Sequence, residues 1–267
     1  MKHKEMETSK NVGLVLSGGG FKGVAHVGAI KAIEESGLIP NVISGTSAGA
    51  IVGSFYAAGN SIEKMKGFFS NTPLFKFNRF TRKKAGFLDS EKFYDDLIKY
   101  LPQNSFESLD KKLFVTATNL VEGTVTVFDK GELIKPILAS AAFPGVFSPI
   151  KIGDQLYSDG WILDNFPIAP IQKDCDIIIG IDVTPIKQPK ITDFKNSYSV
   201  MQRAYYLKEM SNSEIKFKNC DLVIQPKKLA NYGVFSGGNV DKMFDLGYEE
   251  AKQQLALYFE NQKQQLQ

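Results

Sequence analysis

Histidine, cysteine and long apolar runs are scarce in this 267-residue sequence. No apolar run approaches the ~20 residues a helix needs to cross a bilayer, so no membrane span is expected. The N-terminus, MKHKEMETSKN, is charged and leads only into the short apolar run from Val12 to Leu16. That run is too short for a signal-peptide core and lacks a small-residue cleavage site, which predicts a cytoplasmic protein. With two histidines and two cysteines, neither a structural nor a catalytic zinc site can be assembled, and no metal is expected. Cys175 and Cys220 sit in similar contexts, KDCDIIIGIDV and KNCDLVIQPK, each at the entry to an apolar run. Neither belongs to a CxxC pair, so they read as two buried free thiols. A net charge of +3 is too balanced to argue for a nucleic-acid partner.

What is present suits a globular chain with a real core: 43% hydrophobic and 23% charged residues. No internal repeat or long linker divides it. A flexible tail over 1–11, one domain over 12–260 and a polar tail over 261–267 are expected. An apolar β run, Val12 to Leu16, ends in Ser17-Gly18-Gly19-Gly20, and a helical pattern follows from Gly23 to Ser36. A second short strand, Val42-Ile43, leads into Gly45-Thr46-Ser47-Ala48-Gly49, then a helical run from Ala50 to Ala58. This strand–turn–helix alternation points to parallel β-structure covered by helices. Residues 61 to 88 read as irregular. A helix capped by Asp89 or Ser90 and ending near Leu101 places Phe93, Leu97 and Leu101 on one face. Lys112 to Asn119 and Thr124 to Phe128 form a hairpin around Glu122-Gly123. Further helices are predicted from Glu132 to Ala141, from Ser197 to about Phe217, and at the polar C-terminus. Strands are predicted from Asp176 to Val183 and from Asp221 to Gln225.

The strongest chemical signal is Gly45-Thr46-Ser47-Ala48-Gly49. A G-x-S-x-G sequence between a strand and a helix is the context of a nucleophile elbow, which holds a serine hydroxyl above a strand end. The bland alternative is a small-residue turn. Gly18 to Gly23 fits G-x-G-x-x-G after a strand, so a dinucleotide site competes. That reading wants an acidic residue ~20 positions on, and Ile39 to Ser44 contains none. Glycine-rich backbone also suits an oxyanion hole, where bare N–H groups meet developing negative charge. An oxyanion loop beside a nucleophile explains both turns; a nucleotide site explains one.

A serine triad needs a histidine. His3 lies in the charged tail, which leaves His26, inside the helix after the glycine loop. His26 reads better as a packed helix residue hydrogen-bonded to a neighbour, so a carboxylate must be considered as the base. A carboxylate base normally stays ionised to lower pH than histidine.

At this point the sequence resembles the patatin-like phospholipases, which use a serine–aspartate dyad. The matching stretches are Gly18 to Gly23, Gly45 to Gly49 and Asp159-Gly160. Ser140 to Pro149 and Asp164-Asn165-Phe166-Pro167 agree as well, in the family's order from about Val12 to Val183. The resemblance implies an α/β fold, a three-layer α/β/α domain around a mostly parallel sheet. It implies Ser47 as nucleophile, Asp159 as base, and the N–H groups of Gly18, Gly19 and Gly20, with that of Ala48, as oxyanion hole. It implies no cofactor or metal, and a phospholipid, lysophospholipid or other fatty acyl ester as substrate. One departure stands out: Trp161 follows Asp-Gly where the family usually has Gly or Ala, which puts the width of the acyl pocket in question. Lys22 reads either as a solvated basic residue or as a contact for an anionic head group. Asp154 reads as a turn residue, and Asp164 as a helix cap or a support to the site. Residues 68–84 carry five Phe and several basic residues, either a peripheral membrane contact or a cap with its rings packed inward. An acyltransferase using the same dyad and a non-catalytic lipid-binding protein are the alternative functions.

Overall fold

The computed structural model describes residues 10–71, 90–185, 188–234 and 239–265. Eight strands form one sheet: β1 (Val12–Leu16), β2 (Val42–Thr46), β3 (Lys112–Asn119), β4 (Thr124–Phe128), β5 (Ile150–Ile152), β6 (Gln155–Asp159), β7 (Ile177–Ile181) and β8 (Leu222–Ile224). Their order is β5-β6-β3-β2-β1-β7-β8, with β4 also paired to β3. The five strands β3-β2-β1-β7-β8 run parallel, and β4, β5 and β6 join antiparallel. β1 and β7 (VGLVL and IIIGI) are buried along their whole length, as continuous apolar runs covered on both faces should be.

The two faces have separate cores, and the period of two along β1 decides which residue enters which. Leu14 and Leu16 join the larger core, while Val15 joins the smaller one with Phe114, Phe166 and Ile178. Helices α1 (Val24–Glu35), α2 (Ala48–Ala57), α3 (Ile62–Asn71), α4 (Ser90–Ile98), α5 (Ile134–Ser140) and α7 (Val240–Gln265) supply side chains to the larger core. The opposite face is covered by the irregular segment after β6 and by Phe217, the last residue of α6 (Ser197–Phe217). This is the expected three-layer architecture, with one thin layer. α1 and α7 cross at near backbone contact: a Cβ on Gly28 would lie 2.1 Å from the Phe244 carbonyl oxygen, and one on Gly247 would lie 2.0 Å from that of Ala25.

Register positions the site. Leu16 pairs with Gly45, so the chain turns after β1 and β2 emerge side by side. Thr46 pairs with Thr116, and Ala117 with Asp159, so β3 brings the end of β2 and the end of antiparallel β6 to successive residues.

Several expectations need correction. Residues 62–71 are not irregular but form α3, whose Met65, Phe68 and Phe69 are buried. Asn11 is not part of a loose tail: its N–H donates to the Asp176 carboxylate and its amide to the Asp174 carbonyl. α7 runs through the expected boundary at 260. Asp89, most of the 1–11 tail and residues 72–84 of the Phe/basic stretch lie outside the described residues. The hairpin of β3 and β4 and helix α6 have the predicted bounds, and Phe93, Leu97 and Leu101 are buried together. Both cysteines are free thiols, half-buried rather than buried. Burial pushes the Cys220 thiol up to about 12, with Asp221 adding to the effect.

Candidate active site

β2 ends at Thr46 and α2 begins at Ala48, so Ser47 alone makes the turn. Its φ of 54° and ψ of −120° lie where side chains are strained, and such backbone persists only when its surroundings enforce it. The Ser47 N–H donates to Ser140 Oγ at 2.8 Å, and that hydroxyl donates to the Thr116 carbonyl at 2.6 Å. The flanking glycines are steric necessities. A Cβ on Gly49 would stand 2.2 Å from the Leu16 carbonyl oxygen, and one on Gly45 2.6 Å from the Gly49 carbonyl.

The Ser47 hydroxyl donates to Asp159 Oδ2 at 2.7 Å. Asp159 Oδ1 accepts from the Trp161 N–H at 2.8 Å, which orients the carboxylate. Its backbone is tied at both ends, N–H to the Ala142 carbonyl and carbonyl to Thr118 Oγ1. Asp159 is 1% exposed. Burial pushes its carboxyl up to about 7, although the hydrogen bonds from Trp161 and Ser47 act in the opposite direction.

The glycine loop after β1 lies against this pair, since a Cβ on Gly18 would be 3.2 Å from Ser47 Cβ. Gly18 is a correction to the expected donor set. Its N–H is buried and taken by Asn165, through the carbonyl at 3.3 Å and Oδ1 at 3.0 Å. Gly19, Gly20 and Ala48 remain on the pocket wall, and among the described residues no acceptor takes their N–H groups.

The patatin-like phospholipase family model matches residues 14–171, more than half of the chain. The chain belongs to the patatin-like phospholipase family. It is 26% identical to the lysophospholipase nte1 of Emericella nidulans over 277 aligned positions, covering 91% of this chain and 18% of that protein. An uncharacterized NTE family protein of Mycobacterium tuberculosis is 35% identical over 66% of this chain and 50% of its own length. The chain thus spans half or less of the length of these relatives. VipD from Legionella pneumophila shares the fold, with a TM-score of 0.59 and 16% identity over 95% of this chain and 67% of that one.

In this patatin-like chain the serine and aspartate open onto a cavity of about 80 Å³. Its walls are largely apolar, including Ile51, Phe93, Phe143, Phe147 and Trp161. Trp161 is buried and packs on Phe143 and Tyr206, with ring centroids 5.3 and 5.4 Å apart. Its backbone serves Asp159 whatever the side chain, and its ring takes up pocket volume. The space is small against the ~300–1,000 Å³ of a typical ligand site.

The remaining candidates play other parts. His26 Nε2 donates to the Ser17 carbonyl at 2.8 Å. Burial lowers its pKa to about 4 despite that bond and nearby Asp182, so the ring is neutral at physiological pH. His26→Gln is therefore expected to keep ester turnover within a factor of ~10, the scale of a packing disturbance near a site. A loss as large as that of Ser47→Ala, in a variant folded by circular dichroism, would restore histidine as the base. Lys22 is not solvated: it is buried, and desolvation lowers its pKa to about 8 against the attraction of Asp182. Asp164 caps no helix; it accepts from the Phe166 N–H and pairs with Lys216 of α6 at 2.5 Å. Asp154 stands beside Gly153 in the β5–β6 turn, as expected. Phe68 and Phe69 pack inward, against Phe55 and Phe21. Sequence reasoning passed over Ser140 and Asn165 as functional supports, although both lie in stretches that carry the resemblance. Their small polar side chains gave no sign of which backbone group they would hold. Among the described residues no helix is long and apolar enough to cross a membrane.

Proposed function

We propose that this chain is a serine acyl hydrolase acting on fatty acyl esters of phospholipids or lysophospholipids, its hydrolase domain reaching from Asn11 to the end of α7. The observation that carries the reading is the 2.7 Å hydrogen bond from Ser47 Oγ to buried Asp159 Oδ2, at the wall of an apolar pocket. Ser47 Oγ attacks the ester carbonyl as its proton passes to Asp159. The carbonyl oxygen becomes negative and is held by the N–H groups of Gly19, Gly20 and Ala48, with the N-terminus of α2 favouring the charge. Collapse of this intermediate breaks the ester C–O bond, and the proton on Asp159 goes to the departing alcohol. A water then attacks the acyl-enzyme, its proton taken by Asp159, and the fatty acid leaves as Ser47 recovers its hydrogen. No metal or cofactor enters these steps. The apolar walls and the name of the Emericella nidulans relative support a lipid ester as substrate.

A fluorophosphonate probe should label the wild type at Ser47 and leave Ser47→Ala unlabelled. Turnover against acyl esters of graded chain length should be compared between the wild type and Trp161→Ala. Removing the indole enlarges the pocket and is expected to move the preferred chain length upward. Labelling at another residue, or a chain-length profile unmoved by Trp161→Ala, would count against the site or its pocket respectively.

A further inference from the structure

Helix α6 buries polar groups beside apolar ones and leaves other apolar side chains in solvent. Its inward side carries Tyr206, Glu209, Met210, Ser213 and Phe217, which line a polar cavity of about 280 Å³ behind Trp161. Glu209 and Ser213 there are 3% and 6% exposed. Its outward side carries a group of exposed apolar residues, with Lys208 and Glu214 among them. Val200, Ala204, Leu207 and Ile215 recur at the i, i+4, i+7 and i+15 spacing of a single helical face, with Met201 beside them. Val200 is 54% exposed and Ile215 62%, and Met201 and Leu207 are exposed as well. Just ahead of the helix, Ile191 is 91% exposed and Phe194 is also open to solvent. Scattered exposed apolar residues are ordinary, but Ile191, Phe194, Val200, Met201, Leu207 and Ile215 gather on one helix and the segment just before it, and such a patch marks an interaction surface.

Two further observations say what covers it. Around it stand exposed Lys190 and Lys195, half-buried Arg203, and Lys208, whose charge stays at the surface although its Nζ is held by a backbone carbonyl, against exposed Asp193 and Glu214, so the border carries more positive than negative charge. The helix also sits on the candidate site: Tyr206 lines the Ser47 pocket, the Tyr205 ring lies tilted beside Trp161 with centroids 6.0 Å apart, and Lys208 Nζ donates to the Ile162 carbonyl. We infer that the outward face of α6, together with residues 190–195, docks on the surface of an anionic lipid layer. Apolar side chains with a basic border are the composition of an interfacial helix. This inference rests on the hydrolase reading, which supplies the reason for the location. A pocket for a lipid ester is best served when its wall lies on the layer that holds the lipid. The membrane face expected at 68–84 has its first two rings, Phe68 and Phe69, in the core instead.

The test uses the full chain with Ser47→Ala, so that binding is read without turnover. Co-sedimentation is measured with vesicles of phosphatidylcholine alone and of phosphatidylcholine mixed with phosphatidylglycerol. Leu207→Glu and Ile215→Glu are combined, both at exposed positions where folding should be unaffected. Binding to the mixed vesicles is expected to fall at least ~10-fold, and binding of the parent to be weaker on phosphatidylcholine alone. In the Ser47 background, turnover of a short soluble ester by the double variant should stay within about two-fold of wild type. Unchanged vesicle binding would overturn the inference, as would a parent that ignores anionic vesicles. A parent that sediments as a dimer and becomes monomeric in the double variant would assign the face to a second copy instead. Equal loss of soluble-ester turnover would assign it to structure. Vesicle binding decides the matter whether or not Ser47 carries turnover, so failure here is distinct from failure of the hydrolase reading.

Discussion

Ser47→Ala is expected to lower ester turnover by at least ~10³-fold, and Asp159→Asn by a similar factor, with the double variant adding little. The two groups share one hydrogen bond, Ser47 Oγ to Asp159 Oδ2 at 2.7 Å, and in the proposed mechanism one proton transfer, so removing either should disable the same step. Asp159→Asn keeps the shape and can still accept from the Trp161 N–H, but an amide cannot take the serine proton. Neither change should unfold the chain. Ser47 is a small side chain whose backbone is held by Ser140, and asparagine is isosteric with aspartate. Residual activity in both variants is attributed to the N–H groups of Gly19, Gly20 and Ala48, which remain. Steady-state kinetics of the three variants on one soluble ester is the measurement. Losses that multiply in the double variant, or an Asn variant with wild-type activity, would reject the dyad.

The second large effect is on pH dependence, and here burial reverses the ordinary order of the two candidate bases. The ordinary values put aspartate well below histidine, and a carboxylate base accordingly predicts activity that persists in mild acid. In the folded chain Asp159 is pushed up to about 7 and His26 down to about 4, each chiefly by desolvation of its charged form. Asp159 must be ionised to accept a proton, so kcat/KM should rise through pH ~7 and lie ~100-fold lower at pH 5. His26→Gln should leave that limb in place. A flat profile down to pH 5 would sink Asp159 as the base or its desolvated state.

The same shift predicts a stability effect of definite sign. Between the ordinary aspartate value and about 7, folded Asp159 holds a proton that the unfolded chain has released. Stability must therefore fall as pH rises across that window, with the full cost present above pH 7. At ~1.4 kcal/mol per unit, the buried carboxylate costs up to about 4 kcal/mol at alkaline pH. Asp159→Asn should thus be more stable than wild type at pH 8, and the difference should shrink toward pH 4. Urea unfolding at the two extremes checks this. An Asn variant no more stable at pH 8 would mean that the carboxylate is not desolvated.

The sequence by itself determined the parts of this protein that depend on neighbours in the chain. Val12 to Leu16 and Asp176 to Val183 read as strands because their apolar, β-branched runs are short and bounded by polar or turn residues. Ser47 between Gly45 and Gly49, after one apolar run and before a helical one, marked a strand-to-helix turn. The resemblance then carried Asp159 to the same site across 112 positions, although no local pattern separated it from Asp154 or Asp164. Tertiary structure alone decided the rest. Gly18 looks like Gly19 and Gly20 in the chain, and only the return of Asn165 takes its N–H out of the donor set. Lys22 and His26 look ordinary until the fold strips their water. Residues 68–69 and α6 both show aromatic or apolar residues near basic ones, yet packing turned the first inward and left the second exposed. The reason is common to all of these. Turns and periodicity are local properties of the backbone, whereas desolvation, hydrogen-bond occupancy and exposure are set by groups that arrive from distant parts of the chain.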